Sequence, residues 1–185
     1  MIVILGKTAS GKDAICRKLI QRGFYRVVTY TSRPMRPGEV QNQTYHFVSK
    51  EKFEVLIRNG LFAEYRGYLT TSGLWYYGSA LEDYNRNLTD MIVLNPTGYS
   101  KVKKFANETV ISFYIDSDVE IIKKRLLKRG DDHDEAMRRI ESDLKDFKGI
   151  ENEVDYVIKN NGDKTLDEIA DEIEEIVNDV KEKNL

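Results

Sequence analysis

Residues 4–15 read ILGKTASGKDAI and set Gly6, Gly11 and Lys12 at the spacing of a phosphate-binding loop. In such a loop the backbone N–H groups wrap a phosphate, the helix that follows adds its positive N-terminal end, and the lysine reaches the outer phosphates. Gly6, Lys7, Thr8, Ala9, Ser10, Gly11, Lys12 and Asp13 are therefore the candidate cradle for a nucleotide's phosphates. The last of these breaks the pattern. Where the motif has a hydroxyl that meets magnesium, this chain has Asp13. A carboxylate there also has a plain reading, as a negative residue that favours the first turn of a helix.

Such a cradle works only between a strand and a helix. IVIL (2–5) supplies the strand, and the residues after Gly11 supply the helix, with Ala14, Ile15, Leu19 and Ile20 as its apolar stripe and Gly23 as its end. The same rhythm recurs at RVVTY (26–30), MIVL (91–94), VISFYI (110–115) and VDYVI (154–158), with helical segments between. It predicts an α/β fold, a parallel sheet flanked by helices on both faces. Leu166, Ile169, Ile173, Ile176, Val177 and Val180 recur at helical spacing and predict an amphipathic closing helix over 165–182.

Two regions interrupt this order. From 31 to 79 the chain passes through a loop with Pro34 and Pro37, short strands around YHFV and LFAEYR, a helix at 50–59 and the aromatic-rich YLTTSGLWYYGS. This reads as an inserted substrate-binding lobe. RGDDHD (129–134) lies between the basic helix EIIKKRLLKRG and a charged helix with Arg138 and Arg139, as a mobile lid would. Most lysines here read as a solvated helix face.

The bulk composition narrows the partners. A chain of 185 residues suits one domain, and a net charge of -2 gives no global pull toward nucleic acid or an anionic membrane. The first residues are too short an apolar run for a signal peptide, and no run approaches membrane length, so the chain reads as cytoplasmic. Cys16 is the only cysteine, which rules out an internal disulfide and a cysteine-built metal cluster; it reads as a small apolar residue of the first helix. His46 and His133 stand far apart and are not assigned to a metal.

The stretch TYTSRPMRPGEVQNQTYHFVS (29–49) resembles the nucleoside-monophosphate-binding region of guanylate kinases, with its T-x-R-x-x-R-x-G-E-V, a short gap, then Y-x-F-V-S. GLFAEY with Glu64, YYGS with Tyr77 and Ser79, KKRLLKRG with Arg129, MRRI with Arg139 and DYVIKN with Asn160 follow in that family's order. The resemblance thus spans nearly the whole chain. It implies a P-loop nucleoside monophosphate kinase fold: a core of 1–30, 90–128 and 150–185, a GMP-binding lobe at 31–89, and a lid at 129–149. It also implies ATP-dependent phosphorylation of GMP or dGMP with Mg2+ and no covalent enzyme intermediate. The partners would be the nucleotides ATP and GMP; the oligomeric state stays open.

Chemistry at the matched positions agrees with this. Arg33 and Arg36, on a loop constrained by Pro and Gly, can present two guanidinium forks to one phosphate, and the Tyr45 and Tyr77 hydroxyls add neutral donors. Glu64 can accept from both N1–H and the N2 amino group of guanine, whereas adenine would set a lone pair against its charge. By resemblance Thr29 and Ser79 line the base pocket, and Asn160 lies near the adenine of ATP. Lys12, Arg33, Arg129 and Arg139 form the expected catalytic set, the lid arginines closing on ATP.

The chain also departs from the family. A strand that usually ends L-D-x-D-x-x-G is here MIVLNPTG, which puts Val93 and Asn95 in place of two aspartates before Gly98. The expectation is that a carboxylate lost at Val93 is regained at Asp13, which keeps an acid near the metal, while Asn95 keeps a carbonyl for guanine N2. YLTTSGLW is longer than the family pattern, so Tyr68 or Trp75 either stacks on a base or simply packs. Two other functions stay open: a kinase for another nucleoside monophosphate, and a guanylate-kinase-like module that binds phosphopeptides without catalysis. Lys12, its glycine loop and the lid arginines argue against the last.

Overall fold

A strand with no polar residue on either face has to be covered on both sides. The computed structural model, which describes residues 1–84, 88–105 and 110–183, shows how IVILG meets that demand. In chain order the elements are β1 (Ile2–Gly6), α1 (Lys12–Gln21), β2 (Tyr25–Arg26), β3 (Tyr30–Thr31), β4 (His46–Phe47) and α2 (Lys50–Arg58). Then come β5 (Phe62–Thr70), β6 (Gly73–Ala80), β7 (Asp90–Val93), α3 (Pro96–Phe105) and β8 (Ile111–Asp116). α4 (Val119–Arg129), α5 (His133–Asp146), β9 (Tyr156–Lys159) and α6 (Leu166–Lys183) complete the chain.

The main sheet is parallel, in the order β2-β7-β1-β8-β9, with Ile2 level with both Met91 and Ile111. Ile2 and Ile4 point to one face, where Ile15 and Leu19 of α1 and Ile169, Ile173 and Val177 of α6 cover them. Val3 and Leu5 point to the other, against Tyr99 and Val102 of α3 and the Phe147–Ile150 turn. The closing helix does what its spacing predicts. Burying each such side chain contributes about 1.5–3 kcal/mol, so these two layers fix where β1 ends and the phosphate loop begins.

A second sheet, in the order β4-β3-β6-β5, joins one parallel pair to antiparallel neighbours. Phe53 of α2 stacks between Phe62 and Tyr76 at 4.5 and 5.2 Å and closes its back. The expected strand at 26–30 is corrected here. β2 pairs only through 25–26 with the main sheet, and β3 already belongs to the second. Val27 N–H still donates to Met91 O at 2.9 Å, while Thr29 O accepts from His46 N–H at 2.8 Å, so residues 27–29 carry the chain from one sheet to the other. A run of β-branched residues serves both sheets and hides the crossing.

The aromatic-rich segment is also more regular than expected. It forms a continuous hairpin, β5 to β6, closed at 71–72; Gly73 takes a left-handed φ of 109°, which a side chain would strain. Beyond the sheets, α4 and α5 share a small core of Ile122, Leu126, Ala136 and Ile140. Gly130 ends α4 with φ 78°, and Asp132 caps α5 by accepting from Glu135 N–H at 2.9 Å. Among the described residues no helix is long and apolar enough to cross a membrane.

Candidate active site

A cavity of about 240 Å³ opens where the ends of β1 and β7 face the second sheet and α5. From the phosphate loop it takes Gly6, Thr8, Ala9, Lys12 and Asp13. From the expected acceptor pocket it takes Thr29, Arg36, Tyr45, Glu64, Tyr77 and Asn95, and from the expected lid Arg129 and Arg139. Lys7, Ser10, Gly11, Arg33, Ser79 and Asn160 do not line it.

The loop is braced from outside the cavity. Gly11 adopts φ 97°, and a Cβ there would lie 2.4 Å from Asn160 Nδ2, so glycine is required twice over. Asn160 is 4% exposed and donates Nδ2–H to Ser10 O at 2.8 Å. It therefore props the loop. Arg125, which the sequence reading missed, donates to Ala9 O at 3.2 Å and to Asn160 O at 2.9 Å. Lys7 turns away to pair with Asp116 at 2.9 Å. Although burial opposes it, Lys159 and Lys7 hold the Asp116 carboxyl down at about 2.

Inside the cavity the donor groups are taken by the protein itself. Lys12 Nζ donates to Gly6 O at 2.5 Å and Lys7 O at 2.7 Å, and burial pushes its pKa down. Thr8 N–H donates to Asp143 Oδ2 at 2.5 Å, a carboxylate on α5 whose pKa burial pushes up. Asp13 Oδ1 pairs with Arg26 at 2.9 Å; against its burial, that guanidinium and Lys12 hold its carboxyl below the usual range.

The acceptor half is arranged differently. Arg33 is 3% exposed and forms a fork to Glu39 at 2.9 and 2.7 Å. Glu39 also accepts from the Arg36 N–H at 2.7 Å, so Arg33 shapes the loop while Arg36 faces the cavity. Among the described residues no carboxylate pairs with the Arg36 guanidinium. Burial first, then the neighbouring Arg33 and Arg139 charges, lower its pKa. Tyr45 and Tyr77 meet edge to face at 6.1 Å beside it.

Glu64, 6% exposed, accepts from Ser79 Oγ at 2.6 Å, and Ser79 shares a short hydrogen bond with Tyr84 Oη behind it. Burial pushes the Glu64 pKa up. Gly98 makes room for it, since a Cβ there would come within 3.1 Å of Oε2. Asn95 Oδ1 accepts from Gly98 N–H at 2.8 Å, which caps α3, and Asn95 Nδ2 donates to Tyr68 Oη at 3.0 Å.

Three arginines of α4 and α5 share two acids. Arg129 pairs with Asp131, Arg138 with Glu135 at 2.8 Å, and Arg139 with Glu135 at 2.8 Å. The Arg138 fork, against some burial, and the Arg139 guanidinium hold Glu135 at about 2. The long hairpin reaches α5: Trp75 lies 6.0 Å beneath Arg139, and Arg66 pairs with Asp146 at 2.9 Å. Tyr68 sits under Arg66 at 4.9 Å and edge-on to Tyr77 at 5.8 Å.

Among the described residues no three His, Cys, Asp or Glu side chains cluster as a metal site. Asp13 and Asp143 nevertheless both line the cavity with Lys12. Hard carboxylate oxygens of this kind fit a magnesium that is held largely by phosphates and water.

Comparison with known proteins adds a lineage to this geometry. The family model described as guanylate kinase matches residues 1–180. The chain is 30% identical over 181 residues to a guanylate kinase of Clostridium tetani, covering 95% of this chain and 82% of that protein. It is 32% identical over 168 residues to that of Streptococcus thermophilus, covering 86% and 78%. The crystal structure of guanylate kinase from Anaplasma phagocytophilum superposes with a TM-score of 0.69 at 25% identity, covering 96% of this chain and 84% of that one.

Proposed function

The chain is an enzyme of the guanylate kinase family, and we propose that it moves the γ-phosphoryl group of ATP to GMP or dGMP by in-line transfer with Mg2+. One observation carries this reading. A single cavity is lined by the phosphate-loop Lys12, by the buried Glu64 carboxylate, and by an Arg36 guanidinium that no carboxylate among the described residues pairs with.

In this reading Glu64 accepts from guanine N1–H and N2–H, with Thr29 along the base and Ser79 holding the carboxylate. Arg36, Tyr45 and Tyr77 hold the acceptor phosphate, and Arg33 acts through Glu39 to fix the Arg36 backbone. An acceptor phosphate oxygen attacks the γ-phosphorus, the bond from phosphorus to the bridging oxygen of ADP breaks, and ADP and GDP form. Lys12 leaves its own carbonyls to follow the outer phosphates, while Arg129 and Arg139 turn from lid acids toward the phosphoryl oxygens. Asn160 and Arg125 keep the loop in shape during this. Asp13 would hold magnesium beside the phosphates, where the ion would neutralise charge on their oxygens.

The test is ADP release by purified protein with ATP, Mg2+ and GMP, dGMP, AMP, UMP or CMP as acceptor. Turnover with GMP and dGMP but not the others is expected. Turnover confined to another acceptor overturns the guanine assignment, and none with any acceptor leaves the phosphopeptide-binding alternative.

A further inference from the structure

The extended hairpin brings into the acceptor pocket a hydroxyl that no step above uses. Tyr68, at the seventh residue of β5, lines the cavity with Tyr77 and Asn95. Its hydrogen-bond roles follow from chemistry. Asn95 Oδ1 accepts from a backbone N–H, that of Gly98, at 2.8 Å, so the amide can be oriented only with its nitrogen toward Tyr68. Asn95 Nδ2 then donates to Tyr68 Oη at 3.0 Å. This uses an acceptor lone pair of the phenol and leaves its O–H to donate elsewhere. Among the described residues no acceptor takes that hydrogen, and the cavity lies beside it.

Position says what the hydrogen meets. The base end of the pocket is Glu64, whose Oε2 reaches Gly98, the partner of Asn95. The phosphate end is Arg36, Tyr45 and Tyr77. Tyr68 bridges the two, with its hydroxyl on Asn95 and its ring 5.8 Å from Tyr77 edge to face. A nucleoside monophosphate stretched between these ends sets its sugar there. The phenol is also held in advance. Arg66 covers its other side at 4.9 Å and is fixed by Asp146 on α5 at 2.9 Å and Thr97 Oγ1 on α3 at 3.1 Å. Little side-chain freedom is left to lose on binding. Burial pushes the Tyr68 pKa up to about 12, so the proton is present at neutral pH.

We infer that Tyr68 reads the sugar of the acceptor nucleotide, donating its O–H to a ribose hydroxyl oxygen and so favouring ribonucleotides over their deoxy forms. The inference rests on the guanine-nucleotide reading of the site, but its test needs no turnover. Calorimetric titration of the full chain with GMP, 2′-deoxy-GMP and 3′-deoxy-GMP is compared between wild type and Tyr68→Phe, which keeps the packed ring. One neutral hydrogen bond is worth about a fivefold difference in Kd. Wild type is expected to bind GMP about fivefold tighter than one of the two deoxy forms, and in Tyr68→Phe that ratio falls to about one through weaker GMP binding, with the deoxy form unchanged. Equal affinity of wild type for all three ligands overturns the role of Tyr68 while leaving the guanine site standing, as does a ratio that survives in Tyr68→Phe. Failure of wild type to bind any of them overturns both.

Discussion

The two ends of the cavity are built on opposite plans. At the donor end the protein binds itself: Lys12 on its own loop carbonyls, Asp143 on the Thr8 N–H, Asp13 on Arg26. At the acceptor end, among the described residues, no acid pairs with the Arg36 guanidinium that faces the cavity and no cation pairs with Glu64, while Glu39, Ser79 and Gly98 hold the surrounding frame. On the proposed reading, GMP would meet groups already aimed at it, whereas ATP would displace internal partners to enter. The lesson is energetic. The acceptor end spends folding stability on buried charge, which a bound GMP would relieve, and the donor end neutralises its charge until, on the same reading, ATP exchanges one anion for another.

Substitutions at each end can break or sharpen that contrast. The largest effect is expected for Lys12→Ala. It removes the side chain that follows the transferring phosphates, and kcat falls by about a thousandfold while GMP affinity stays within about twofold in calorimetry. Next comes Glu64→Gln. The amide cannot accept both guanine N–H groups without turning its own N–H toward one, so kcat/KM for GMP falls by about a hundredfold with ATP affinity retained. Gly98→Ala acts on the same group indirectly. Its Cβ would sit 3.1 Å from the Glu64 carboxylate, and GMP binding weakens about tenfold. The smallest effect is a pH response. Burial raises the Glu64 pKa, and guanine needs the ionised form, so GMP affinity declines as pH falls through a value above the ordinary glutamate range near about 4.3. The Glu64→Gln protein should lose that step.

Features whose meaning is local were legible in the chain itself. The glycines and lysine of the loop, the apolar strands, the closing helix and the order of acceptor residues all carry short-range signatures. What escaped depends on distant partners. RVVTY reads as one strand because nothing in it marks the crossing between sheets at 27–29. Arg33 reads as a phosphate ligand until Glu39 is seen closing on it, although that acid lies in the same R-x-x-R-x-G-E motif and hints at the pairing. Arg125 and Asp143 reach the phosphate loop from 116 and 135 residues away, so no spacing rule finds them. The hairpin's extra length was visible, but not that it would place Tyr68 on Asn95 and Trp75 under the lid.

The contrast between the two ends can be measured most directly at Asp143. Wild type and Asp143→Ala are titrated separately with GMP and with ATP, the latter both with and without Mg2+. If Asp143 occupies a place that ATP must take, its removal tightens ATP binding by about tenfold and leaves GMP affinity within about twofold. Unchanged or weaker ATP binding in Asp143→Ala would contradict a self-occupied donor end, and weakening that appears only with Mg2+ would mark Asp143 as a support of the metal instead.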